Sequence, residues 1–193
     1  MTVEAQDSAP INETQESSAR PAARTGSTPR QLAGFFVIAL LLVGADQASK
    51  AMIRATLSVG GQAPLLDGWA HLNHVLNYGA AWGIFDGQRF FLIGVTFFVL
   101  VVVGLLAREF AARGALAMSG LGLILGGAIG NLIDRLRFGA VTDFIDLDTP
   151  LIWIQWFPVF NIADAALTVG VALLLLDFLW LGNRETPDAA VAP

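Results

Sequence analysis

Cysteine is absent from the 193 residues, histidine occurs only at His71 and His74, and charged side chains make up only 14%. Without cysteine there is no disulfide, no thiolate metal site and no cysteine nucleophile. Two histidines leave little room for a histidine-rich metal centre, and neither a metal nor a cofactor is expected. Cations are scarce too. The 11 Lys and Arg against 16 Asp and Glu give a net charge of −5, which argues against nucleic-acid binding, because phosphate neutralisation needs clustered Lys and Arg. Soluble domains carry about 25% charged residues, so a chain this poor in charge and 55% hydrophobic is a membrane protein.

Residues 1–30 differ from the rest, being rich in Ser, Thr, Pro, Ala and Glu with almost no large apolar side chains. Such a segment does not bury enough surface to offset its ordering entropy and reads as a disordered polar tail. It begins acidic, with Glu4, Asp7, Glu13 and Glu16, unlike the basic start of a secretory signal peptide. Residues 31–182 form the membrane domain, and 183–193 a short polar tail. Within the domain four apolar stretches approach the roughly 20 residues a bilayer helix needs. They run from about Leu32 through Lys50, Phe90 to Ala107, Ala115 to Leu136, and Val159 to Leu181. An even number puts both termini on one side. Arg20, Arg24, Arg30, Arg108, Arg113 and Arg184 make that side the cytoplasmic one, although Lys50, Arg54, Arg89, Arg135 and Arg137 oppose them and keep the bias small. Gly122, Gly126 and Gly130 on the third span form a doubled small-xxx-small pattern suited to close helix packing.

Nearly every unusual polar residue falls at the extracytoplasmic ends of these spans or in the two loops there. Ionisable groups at membrane depth cost several kcal/mol unless paired or hydrated, so the set is a functional-site hypothesis. Asp46 and Lys50 are four apart, acid before base, the favourable order for a helical ion pair. On local grounds the plainer account is favoured: a helix-end pair with Lys50 snorkelling to the interface. Asn131, in a span of Gly, Leu and Ile, serves equally well as interhelical glue or as a site residue; Asp134 and Arg135 follow it. Pro158 permits a helix to start just after it, Asn161 can cap or line its first turn, and Asp164 then sits on the same face in apolar surroundings. Burial there, or a second carboxylate nearby, raises a carboxyl pKa. In the stretch from Val141 to Asp148 the alternation of apolar residues with Asp suggests an extended segment. It prefers Asp143 as that second carboxylate, with Asp146 left open and Asp146 and Asp148 nearer solvent. Two such carboxyls can activate a water as in aspartic proteases, hold a divalent cation, or relay protons in a small ion-coupled transporter.

Five motifs occur in order: Asp46-Gln47-Ala48-Ser49-Lys50; Asn77-Tyr78-Gly79-Ala80-Ala81-Trp82-Gly83; the run from Gly126 to Arg135; Val141-Thr142-Asp143-Phe144; and Phe160-Asn161-Ile162-Ala163-Asp164. Together, across about Ala45 to Ala166, they resemble lipoprotein signal peptidase (signal peptidase II), the membrane aspartic endopeptidase of bacteria. The resemblance implies an all-α four-transmembrane-helix bundle with a small extracytoplasmic β-platform and an interfacial aromatic loop, in the bacterial inner membrane. It implies a catalytic pair at Asp143 and Asp164, with Asp46, Lys50, Asn77, Gly79, Asn131, Asp134, Arg135, Asn161 and Ala163 as supporting or substrate-binding residues. The implied substrate is a diacylglyceryl-modified prolipoprotein, cut just before its lipidated cysteine; membrane lipids are the other expected partners, and a monomer is expected. Trp82 stands where the family commonly has Phe. Trp69, Trp82 and Phe85 in one loop, and Trp153, Trp156 and Phe157 in the other, fit a lid or rim, and equally well ordinary interfacial anchors. Leu72, His74 and Leu76 alternate against His71, Asn73, Val75 and Asn77, which suits short strands.

Overall fold

The computed structural model describes residues 29–111, 113–149 and 156–181. The two tails, apart from Pro29 and Arg30, and Trp153 lie outside these residues. Among the described residues four helices are long and apolar enough to span a bilayer. They are α1 (Pro29–Thr56), α2 (Arg89–Phe110), α3 (Ala115–Phe138) and α4 (Ile162–Leu176), the last extended by a π-helical turn, Asp177–Leu181. Strands β1 (Gln62–Leu66), β2 (Ala70–Asn77) and β3 (Val141–Asp146) form an antiparallel sheet in the order β1-β2-β3. The sheet marks one end of the bundle. There α1 and α3 finish and α2 and α4 begin, while the α2–α3 turn lies at the other end.

Helix α3 is the hub. It is buried along most of its length, whereas α1, α2 and α4 keep broad outward faces of the apolar kind lipid requires, with Leu40, Phe90, Phe98 and Leu105 among the exposed side chains. Its glycines explain the close packing. A Cβ on Gly122 or Gly126 would meet the carbonyl oxygens of Phe35 and Ala39 on α1 at 3.0 and 2.9 Å, and one on Gly127 would meet Ala163 O of α4 at 2.6 Å. Glycine lets these backbones touch. Phe35, Val103, Met118, Leu121 and Ile124 fill the half nearer the turn, where Arg113 also donates to the buried Asp177 at 2.8 Å. Most of the other buried polar residues lie toward the sheet end.

At the sheet end two helix boundaries depart from the sequence reading by more than two residues. The first helix runs on past Lys50 to Thr56. The fourth starts at Ile162 rather than directly after Pro158, because Phe160 is drawn into a bridge with Ile145 that extends the sheet toward α4. In β3 the expected alternation does not mark a wet face, since Val141 to Phe144 are all buried.

Candidate active site

The sheet end is organised from α1 inward. Asp46 and Lys50 are paired at 2.9 Å with no side-chain exposure. Lys50 therefore does not snorkel. Its ammonium turns into the bundle, donates to Asn131 Oδ1 at 2.9 Å and lies 3.7 Å from Asp134 Oδ2. Asp46 Oδ1 in turn accepts from the backbone N–H of Ala163 at 3.1 Å, one of the N–H groups that a helix start leaves without an intrahelical partner. Gly130 makes room for this, because a Cβ there would stand 2.5 Å from Asp46 Oδ2. Gln47 bridges the same layer, donating to Asp46, Gly130 O and Asp134 at 3.1–3.2 Å.

Asn161 closes the first turn of α4 as both cap and clamp. Its Oδ1 accepts from Asp164 N at 3.0 Å and its own N–H donates to Asp164 Oδ2 at 3.2 Å, a reciprocal capping box. Its amide NH2 donates to Asp143 Oδ1 at 2.6 Å and to Asn131 Oδ1 at 3.2 Å. Asn131 Nδ2 completes the circuit to Asp164 Oδ1 at 2.8 Å. Asn161 thus holds Asp143 through its side chain and Asp164 through its backbone. Asn77 donates to the other oxygen of Asp143 at 2.9 Å, while its own Oδ1 accepts from Gly79 N at 2.9 Å. Burial, reinforced by the Asp164 carboxyl, pushes Asp143 up to about 7, against the hydrogen bonds from Asn77 and Asn161 and the Lys50 charge, which pull it down.

Asp143 and Asp164 both line a cavity of about 530 Å³, together with Asn77, Asn131 and Arg135. Arg135 donates to Gly79 O at 3.0 Å, which ties α3 to the loop after β2. Val95, Val99 and Leu167 continue the wall as an apolar face between α2 and α4. At the rim Trp82 meets the Phe157 ring edge-on at 6.5 Å, and Phe157 meets Phe160 at 5.4 Å. Trp69 and Trp156 are exposed. The arrangement offers a pair of carboxyls, polar donors and an apolar surface in one groove, which suits hydrolysis of a peptide that is partly embedded in lipid. Among the described residues no group of three or more His, Cys, Asp or Glu is arranged to hold a metal ion.

Asp146 and Asp148 serve the platform instead. Asp146 accepts from Asn73 at 3.2 Å, and the exposed Asp148 lies 3.6 Å from His71. Asp134 and Arg135, neighbours in sequence, face different ways. Arg135 borders the cavity, while Asp134 accepts from Thr142 N at 2.9 Å and sits 3.6 Å from Arg54. Sequence reasoning passed over Arg54, counting it only as a loop charge. Its position four residues beyond Lys50 on the same helix face is the signal that was available.

The signal peptidase (SPase) II family profile matches residues 38–180. The chain is 41% identical over 150 residues to the lipoprotein signal peptidase of Shouchella clausii, covering 78% of this chain and 95% of that protein. To that of Halothermothrix orenii it is 40% identical over 146 residues, covering 75% and 94%. A bacterial membrane enzyme solved in meso at 2.3 Å superposes with a TM-score of 0.72 at 30% identity, over 83% of this chain and 96% of its own.

Proposed function

The chain belongs to the signal peptidase II family, aspartic endopeptidases that process lipoproteins, and from that premise we propose that Asp143 and Asp164 are its catalytic pair. The observation that carries this is Asn161, which holds one carboxyl with its side chain and the other with its backbone at the edge of one groove. A pair so held shares one proton. The ionised member takes a proton from water as the water oxygen attacks the scissile carbonyl carbon. The protonated member donates to the carbonyl oxygen. The tetrahedral species then collapses as a proton passes to the leaving nitrogen and the C–N bond breaks.

The substrate is a prolipoprotein whose signal peptide lies along the apolar wall between α2 and α4, with the bond just before the diacylglyceryl-cysteine presented to the pair. Arg135, Asn77 and Asn131 are the donors available to its backbone carbonyls. The sheet end faces the extracytoplasmic side of the inner membrane, both termini face the cytoplasm, and the enzyme acts as a monomer.

The test is cleavage of a lipid-modified prolipoprotein by purified Asp143→Asn and Asp164→Asn variants, each checked for folding in detergent. Both are expected to be inactive, and retained cleavage by either would sink the pairing. Cleavage by the native chain is expected to persist in chelator; loss of activity that a divalent ion restores would replace the two-carboxyl mechanism with a metal-dependent one.

A further inference from the structure

Behind β3, on the side away from the cavity, Arg54, Asp134 and Thr142 form a closed triangle. Arg54 Nη1 donates to the Thr142 hydroxyl at 2.8 Å and lies 3.6 Å from Asp134 Oδ2, and Asp134 Oδ2 accepts from Thr142 N at 2.9 Å. The guanidinium also stacks over the Phe138 ring at 4.5 Å, at the end of α3. Asp134 and Thr142 are buried, and none of the three lines the cavity. A tie of this kind between α1, α3 and β3 fixes backbone rather than touching substrate. The backbone it fixes is the residue immediately before Asp143.

We propose that Arg54 is a positioning residue, which through Thr142 and Asp134 sets where β3 presents Asp143 to Asp164. The inference rests on the catalytic pair proposed above. Strand β3 meets its neighbour β2 through Leu76 opposite Thr142 and Val75 opposite Asp143, beside a break in register between Leu72 and Val75. At Thr142 and Asp143 the sheet holds the strand through this short ladder, since the bonds to Phe160 on the other edge begin only at Phe144 and Ile145. Arg54 supplies the anchor from the other side, and its charge is matched locally by Asp134. Small displacements of a reacting group lower turnover far more than they lower binding.

The experiment compares Arg54→Met, Thr142→Val and the double variant, each as the full chain in detergent, with kcat and KM measured on a lipid-modified prolipoprotein. Each single variant is expected to lose on the order of 10-fold or more in kcat with KM little changed. The double variant is expected to lose no more than the worse single one, since both remove one coupled tie. Thr142→Val alone carries the test if Arg54→Met does not fold. Unchanged kcat in Thr142→Val, a loss confined to KM, or losses that multiply in the double variant would each overturn the proposal. Asp143→Asn and Asp164→Asn in the same assay separate the two ideas. If they are inactive while Thr142→Val is unimpaired, only the anchoring role fails; if either stays active, the catalytic pair itself fails.

Discussion

Lys50 shows what a single buried charge can organise. Its ammonium occupies Asn131 Oδ1, so the Asn131 amide can only turn its NH2 toward Asp164. Lys50→Met leaves Asp46 buried without its cation, and breaking a buried pair from one side costs about 3–5 kcal/mol. A lower melting temperature and lost cleavage are both expected. Asp46→Leu added to Lys50→Met removes the stranded charge, so stability should recover in part while cleavage does not, because Asn131 Oδ1 keeps only the longer bond from Asn161 and still lacks the Lys50 ammonium; recovered cleavage would deny Lys50 its role. Asp143 gives a second outcome at this scale. Its carboxyl is held up to about 7, so kcat/KM is expected to decline as pH rises through that region and the proposed pair loses its remaining proton. The Asn77 hydrogen bond favours the ionised form and pulls the value down. Asn77→Ala should therefore move the alkaline arm of the pH profile to higher pH, and a move to lower pH would reverse that assignment. The residue types of the site were legible because lipid tolerates so few of them: Asp46, Asn131 and Asp164 stand out against Leu and Gly. Their partners were not. Local spacing pairs Asn131 with Arg135, whereas Asn131 bonds across to Lys50, Asn161 and Asp164, contacts that only the packing of three helices creates.

Helix α3 works as a spacer whose thickness is set by glycine. Gly127 lets α4 approach until Ala163 O stands 2.6 Å from where a Cβ would be, and the same stretch of α4 carries Asn161, Ala163 and Asp164. Gly127→Ala should push that helix start outward, costing about 1–3 kcal/mol through overpacking and reducing cleavage by moving Asp164 off Asn131. Gly104 on α2 has nothing within 4 Å of its Cβ position, so Gly104→Ala should be tolerated and at most gain helix propensity. Equal effects of the two on melting temperature and rate would show that close approach of α3 and α4 is not what the glycine provides. The spans could be read because a bilayer imposes a long apolar run on each. Strand pairing has no such local signature. Asn77 and Val141 are joined across a whole helical hairpin, and only the family resemblance indicated a platform. The start of α4 was misplaced for a related reason: Pro158 licenses a helix locally, but Phe160 is already bound to Ile145 of β3.

Taken whole, the molecule divides its length between an apolar half around the α2–α3 turn and a polar half beneath the sheet. That division matters for which side of the membrane is which. Arg108 and Arg113 flank the α2–α3 turn, but the sheet end also carries Arg54, Arg89 and Arg137, so loop charge alone orients the chain weakly. Side-chain partners do not break the tie: Arg54 and Arg89 bond Thr142 Oγ1 and Leu136 O at the sheet end, and Arg113 is paired with Asp177 at the other. The prediction is that the sheet end is extracytoplasmic, where a translocated prolipoprotein presents its cleavage site. The absence of cysteine makes this directly measurable, since any single introduced thiol is the only one in the chain. Asp148, exposed beyond β3, and Glu109, exposed at the end of α2, stand at opposite ends and outside the proposed catalytic groups. In bacterial cells expressing the full chain, Asp148→Cys should react with a membrane-impermeant maleimide without permeabilisation. Glu109→Cys should react only once the membrane is opened. The reverse pattern would place the groove in the cytoplasm, where a signal peptide still awaiting translocation offers no lipidated cysteine to cut beside.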